Sequence, residues 1–364
     1  MSGKLNRYLA KVSVSLVVAA LIAGMGGCVY IPPSQNLEIR DWYDLDAVRN
    51  NLAGNHTLMN DLDSTTPGYT ELASPTANGG KGWQPIGTST PQSSYGSFTG
   101  TFDGQGHEIC DLYINRPDEF LVGLFGCVYD DGVIKDVGVV NSTVIGDDYV
   151  GGLVGINMGT VSNSYAIGSA SGNISVGGLV GYNQGPVSNC YATGNETGNL
   201  SIGGLLGYSE ETVSNSYSTG SVSGDSRVGG LVGLSHGTVS NSYSTASVTG
   251  NLDVGGLLGV NDMSGTVSKC YSRGNVTGNS SVGGLVGVND VGGPVSNSFW
   301  DIETSGETSS NGGTAKTTAQ LKDITTFSVA GWDIITVADS STRNTGYIWN
   351  TVDDVTYPFL SWRS

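Results

Sequence analysis

The chain has 364 residues, 57 of them glycine; 38% are hydrophobic, only 13% are charged, and the formal net charge is −17. It is too apolar for an acidic disordered linker, and its glycines follow no collagen triplet. Lys and Arg total 15 against 32 Asp and Glu, so there is no basic stripe of the kind a phosphate backbone requires, and nucleic acid is excluded as an expected partner.

At the start of the chain Lys4, Arg7 and Lys11 precede an apolar run from Val12 to Ala23. That run is shorter than the roughly 20 residues that span a bilayer, so residues 1–27 read as an export signal. Gly24-Met25-Gly26-Gly27 before Cys28 resembles a prokaryotic lipoprotein signal, with Met25 where that pattern has Leu. The resemblance implies that Cys28 is the acylated N-terminus, holding an exported chain to the membrane of the cell envelope by a lipid anchor. Ordinary signal cleavage with secretion, and an uncleaved anchor, are the alternatives. Removing residues 1–27 takes away three cations and no acid, leaving 12 − 32 = −20.

Residues 28–38 read as a tether, and 39–108 as an N-terminal cap with the first coils. "DWYDLDAVRNNLAG" (41–54) predicts a short helix with Leu45, Val48 and Leu52 on one face and Gly54 at its end. Strands are expected near 56–63, 83–87 and 98–103.

Residues 109–300 repeat themselves. An apolar anchor recurs at nearly constant spacing, at Ile109, Ile134, Val161, Val187, Val213, Val239, Val267 and Val295. The two widest spacings, before Val267 and Val295, come from insertions in the same loop, as a solenoid predicts. Two residues after the anchor stand Asp111, Asp136, Asn163, Asn189, Asn215, Asn241, Lys269 and Asn297. Such residues tolerate a left-handed backbone, so this column predicts a turn. The next column, from Leu112 and Val137 through Ser164 to Ser298, is small or apolar and should point inward. About 26 residues suit a coil of three short strands, each hydrogen-bonded to the next coil at about 4.8 Å. The expected fold is therefore all-β: a parallel β-solenoid, or β-helix, right-handed, capped at both ends. Residues 301–364 read as the C-terminal cap; with Trp300, the tail carries four of the six tryptophans, and a helix is expected near Thr317–Asp323.

The repeat resembles the GLUG-motif family through Gly152-Leu153-Val154-Gly155, Gly178-Leu179-Val180-Gly181, Gly204-Leu205-Leu206-Gly207 and their later copies. The resemblance implies a secreted or surface β-helical protein of bacteria or archaea. Members include adhesins and some immunoglobulin-A-cleaving metallopeptidases, so it fixes no activity. A metallopeptidase needs two His four apart on a helix with Glu between; His56, His107 and His236 form no such motif.

Three groups of residues carry the remaining chemistry. Tyr165, Tyr191, Tyr217, Tyr243 and Tyr271 fall in one column and should stack as a ladder, either stiffening a wall or offering a binding face for glycans or proteins. Asp111 and Asp136 share the turn column; on adjacent coils they would stand about 5 Å apart, the separation of a retaining glycosidase pair, although turn formation explains them more simply. Asp130-Asp131 and Asp147-Asp148 could bind calcium, but no calcium-binding array is present; no cofactor is expected. Cys190 and Cys270 lie three coils apart, about 14 Å, too far to bridge.

The sequence therefore predicts a non-catalytic, envelope-anchored repeat protein. Its role would be adhesive or structural, through contact with glycan, extracellular matrix or another surface protein along the Tyr column and the loops at 156–159, 182–185, 208–211, 234–237, 260–264 and 288–292. A β-helical carbohydrate-active enzyme and a passive spacer are the alternatives.

Overall fold

The computed structural model describes residues 36–88, 96–263 and 265–363. The expected signal segment, Cys28 and most of the tether lie outside the described residues. From Asn36 onward the chain is one compact unit.

The unit is a parallel β-solenoid with four strands per coil rather than the three expected. One coil shows the plan: Ile174–Gly177, Val180–Asn183, Val187–Ser188 and Tyr191–Thr197. The additional corner is Gly178-Leu179, which splits the "VGGLVG" segment into two strands. Each strand pairs in parallel with its copy in the next repeat, as in Val180↔Leu206, Val187↔Val213 and Tyr191↔Tyr217. Stacking thus builds a valine-glycine wall, a glycine-asparagine wall, a valine-serine wall and a tyrosine wall. Among the described residues the glycine-asparagine wall has seven strands and the valine-serine wall ten. The step from Leu258 to Val286 is longer than that from Val180 to Leu206, and the extra residues lie in the corner before Val267; a like insertion occupies the corner before Val295.

Turn chemistry fixes the shape of each coil. All eight residues of the Asp/Asn/Lys column have left-handed φ, from 47° at Asn241 to 63° at Asp111. Asn and Asp visit that region most cheaply, because their side chains bond locally. Asn189 Nδ2 donates to Asn163 Oδ1 at 3.0 Å, and Asn163 Nδ2 to Asp136 Oδ1 at 3.0 Å, tying neighbouring corners together. Past this bend the next column is fully inside, from Leu112 to Ser298.

The motif glycines have a packing reason. A Cβ on Gly207 would sit 2.5 Å from the backbone of Ser175 and Val176, and one on Gly181 would sit 2.5 Å from Val150 N. The valine-glycine strand of one coil therefore lies backbone to backbone on the glycine-asparagine strand of the next, with no room for a side chain. The apolar residues of the coil, among them Val176, Leu179, Val180, Val187, Cys190 and Ala192, fill the interior at 0% exposure. Full burial of a Val or Leu is worth about 1.5–3 kcal/mol, and here it comes only from coils above and below. Inside one corner Asn157, Asn183 and Ser209 form a buried polar ladder, Asn157 Nδ2 donating to Asn183 Oδ1 at 2.8 Å.

The two ends depart from expectation. The first helix is Trp42–Ala47, capped by the Asp41 carboxylate accepting from Asp44 N at 2.8 Å. It runs into a 3-10 turn at Val48–Asn50 and stops before Gly54. Asn55–Leu58 and Thr101–Asp103 extend the valine-serine wall, and it is Phe102, not Ile109, that pairs with Ile134. Ile109 belongs to the tyrosine wall opposite Val139. Near the other end, residues 317–323 form turns, and the helix comes later, at Ile324–Ser328. The segment after Thr317 lies along the tyrosine wall, where Trp332, Trp349 and Leu360 share a core with Tyr217, Tyr243 and Tyr271.

Candidate functional site

The five predicted tyrosines do stack. Ring centroids from Tyr165 to Tyr191, Tyr217, Tyr243 and Tyr271 are 4.6, 4.9, 4.9 and 5.0 Å apart, within 6° of parallel. As a binding face, however, most of the ladder is unavailable. Tyr217, Tyr243 and Tyr271 are at most 5% exposed, because the aperiodic tail covers them: Trp362 Nε1 donates to Asn215 O at 3.1 Å, and Tyr271 OH to Pro358 O at 2.7 Å. Tyr191 is half-buried with Trp362 beside it, and burial pushes its hydroxyl up to about 12. Below Tyr165 comes Gly138 and then Glu108, not Tyr113. The glycine leaves a gap through which Tyr165 OH donates to Glu108 Oε1.

The carboxylate pair does not form. Strand register sets Asp111 opposite Asn141 and Asp136 one residue past the pair Asp103↔Lys135, so the two are not stacked neighbours. Asp111 accepts from Asn141 Nδ2 at 2.7 Å and Ser64 N at 3.2 Å, which holds its carboxyl below the ordinary range. Asp136 accepts from Asn163 and from Lys135 Nζ at 3.4 Å. Both serve as turn residues in this arrangement. Among the described residues no three His, Cys, Asp or Glu side chains gather where they could hold a metal ion. Asp148 accepts from Asn173 Nδ2 and Ile174 N. Cys110, Cys127, Cys190 and Cys270 are free thiols, and burial pushes Cys190 and Cys270 up to about 12.

The corner loops bring together a second aromatic row that sequence reasoning overlooked. Outward from the glycine-asparagine wall, Tyr149, Tyr182 and Tyr208 stack at 5.6 and 4.8 Å, and His236 meets Tyr208 edge-on at 5.0 Å. Tyr149 comes from a neighbouring corner; the others occupy or border the predicted loops 182–185, 208–211 and 234–237. Glu210 ties the row together. Its Oε1 accepts from Tyr182 OH and Tyr208 OH, each at 2.7 Å, and its Oε2 from Gln184 Nε2 at 2.9 Å. His236 Nε2 lies 3.4 Å from Asp262 Oδ2, carrying the network into the fourth loop. Burial raises the Glu210 carboxyl, but the Gln184 and tyrosine hydrogen bonds and the nearby His236 outweigh it, leaving it below its usual value. Burial and the Glu210 carboxylate together raise both tyrosine hydroxyls. The signal in the sequence is the variable position of the motif, which reads Ile156, Tyr182, Tyr208, Leu234 and Val260. Chemically the row offers aromatic edges and preset hydrogen-bonding groups, the Tyr208 hydroxyl lying 2.7 Å from both Glu210 Oε1 and His236 Nδ1.

Comparison with known proteins matches the chain to the GLUG motif at residues 146–171, 172–197, 198–223 and 224–249. It is 34% identical over 139 residues to "Halomucin" of Haloquadratum walsbyi, covering 37% of this chain and 1% of that protein. It is 36% identical over 124 residues to "Putative Gly-rich membrane protein" of Evansella cellulosilytica, covering 33% of this chain and 13% of that one. The chain thus spans a small part of either relative. Among solved structures, a "putative immunoglobulin A1 protease from Bacteroides ovatus" aligns with a TM-score of 0.57 over 92% of this chain and 94% of that one, at 18% identity. That likeness is of fold alone.

Proposed function

Because residues 146–249 are four tandem GLUG motifs stacked as coils of a β-solenoid, we propose that the chain is a non-catalytic repeat protein. In this reading it is exported, held at the cell envelope through Cys28, and adhesive along one side of its rod. The observation that carries this reading is the corner row of Tyr182, Tyr208, Glu210 and His236, a hydrogen-bonded polar-aromatic face spanning adjacent coils. Aromatic surface combined with fixed hydrogen-bonding groups suits a glycan, a matrix component or another surface protein. Contacts made by the neighbouring coils that carry Tyr182 and Tyr208 act together at high effective concentration. The separation of Asp111 from Asp136 takes away the support for a glycosidase. The two relatives' names, a mucin-like name and a membrane protein, accord with a place at the cell surface.

An array of glycans and matrix proteins probed with the purified chain tests the proposal. Binding that is lost in Tyr182→Ala plus Tyr208→Ala supports adhesion through this face. Binding that survives in the double variant rejects the face, and no binding to any ligand leaves the spacer reading in its place.

A further inference from the structure

Where the C-terminal segment lies on the tyrosine wall it leaves an open cleft of about 470 Å³, lined by Tyr243, Tyr357, Arg273, Lys322, Arg343 and Arg363 among others. The chain has 15 basic side chains against 32 acidic ones, so four cations in one cleft run against the charge of the whole molecule. No Asp or Glu lines the cleft, and among the described residues none of the four cations forms an ion pair.

Aromatic rings hold these cations in place of carboxylates. Arg273 lies 4.6 Å and Lys322 5.8 Å from the centre of the Tyr357 ring, Arg343 4.6 Å from that of Phe359, and Arg363 5.0 Å from that of Tyr217. Arg363 Nη1 also donates to Tyr243 OH at 3.0 Å, and Arg343 directs donors to the carbonyls of Ser340 and Thr342. The Arg273 and Lys322 head groups donate no hydrogen bond to any described residue. Asp301, which accepts from Tyr357 OH and Thr318 Oγ1, is fully buried, and Asp323 and Asp354 border Lys322 in the chain and through the bond from Asp354 N to Lys322 O without forming an ion pair with it. A guanidinium lying on a ring keeps its edge donors free for a planar anion.

We propose that this cleft binds a short acidic saccharide bearing carboxylate or sulfate groups. Arg273 and Lys322 are the main anion contacts, and Ser340 and Thr356 line the same cleft. The volume suits a compact ligand. An extended polyanion such as nucleic acid would run beyond the four cations onto an acidic surface, which repels it. The site is separate from the corner row, so either can fail without the other.

Titration calorimetry on the purified chain decides the matter, using trigalacturonate, a sulfated chondroitin tetrasaccharide, neutral maltotriose, hexaglutamate and oligo-dT. Binding of one or both charged sugars, with maltotriose silent, is expected, and the active sugar tells carboxylate from sulfate recognition. Arg273→Gln plus Lys322→Gln should weaken that binding at least about tenfold with the melting temperature unchanged, while Arg227→Gln, away from the cleft, leaves it intact. Absence of binding by both charged sugars, equal binding by the double variant, or preference for hexaglutamate or oligo-dT would overturn the proposal.

Discussion

Lys269 holds a left-handed φ of 54° in a column otherwise made of Asn and Asp. A left-handed conformation costs an ordinary residue about 1–2 kcal/mol. Below it, Asn241 Oδ1 is buried without a partner. An Asn at position 269 would relax the backbone and offer Asn241 an amide donor of the kind that Asn189 gives Asn163. Lys269→Asn should therefore raise stability by about 1 kcal/mol in chemical denaturation. Glu196 makes the opposite point inside the core. It is 1% exposed, stands between Ala170 and Val222 in register, and its Oε2 has no partner. Burial drives its carboxyl well above the ordinary 4.5, so the folded chain keeps the proton that the unfolded chain releases. Stability should thus fall as pH rises above about 4.5, and Glu196→Val should flatten that slope and add about 1–3 kcal/mol at neutral pH. Glu210 has the reverse sign. Its depressed carboxyl stabilises the corner row above its ordinary 4.5, and that contribution is lost as pH falls through the lower folded value. Melting curves of Glu210→Gln against the parent between pH 3 and 7, a range of about 4 units around the carboxylate values, should converge at the acid end.

At the scale of the strand, glycine decides how closely walls approach. Gly207→Ala should cost about 1–3 kcal/mol by overpacking, since its Cβ would press on backbone that cannot rotate away; an unchanged denaturation midpoint would show that the two strands are not in backbone contact. The same packing governs how much of the fold is legible in the sequence. The turn column and the inward column are readable because coil length is nearly constant from Val161 onward, so equivalent residues become neighbours. At Gly178-Leu179 the paired glycines suit a turn or a close approach equally, so the sequence does not choose between a strand and a corner. In the first coils the period breaks down. Ile109 looks like an anchor but lies on another wall, so a column that joins Asp111 to Asp136 has no counterpart in space. The Tyr182–Tyr208 row stands in plain sight as a variable column, yet alternation alone does not say that a buried-looking position faces outward.

Over the whole molecule, the repeat explains the rod but not what covers it. Four tryptophans beyond the last full repeat signal a packed tail, yet periodicity stops at Trp300 and gives the remaining chain no direction. The tail turns back over the tyrosine wall, so the ladder is in large part an internal seam; the corner row and the cationic cleft are what remain open. Every functional reading rests on successive copies lying in register along one axis. Four register steps join Ser169 to Asn195, Ser221, Ser247 and, one residue before the pair Val248↔Val276, Asn275. At about 4.8 Å per step their backbones stand about 19 Å apart. Pulsed electron-electron resonance between spin labels at Ser169→Cys and Asn275→Cys, with Cys28 and Cys110 replaced by Ser, measures this directly. A single narrow distance near about 20 Å, widened only by the label arms, is the predicted result. A broad distribution, or a separation beyond about 35 Å, would contradict the stacked arrangement.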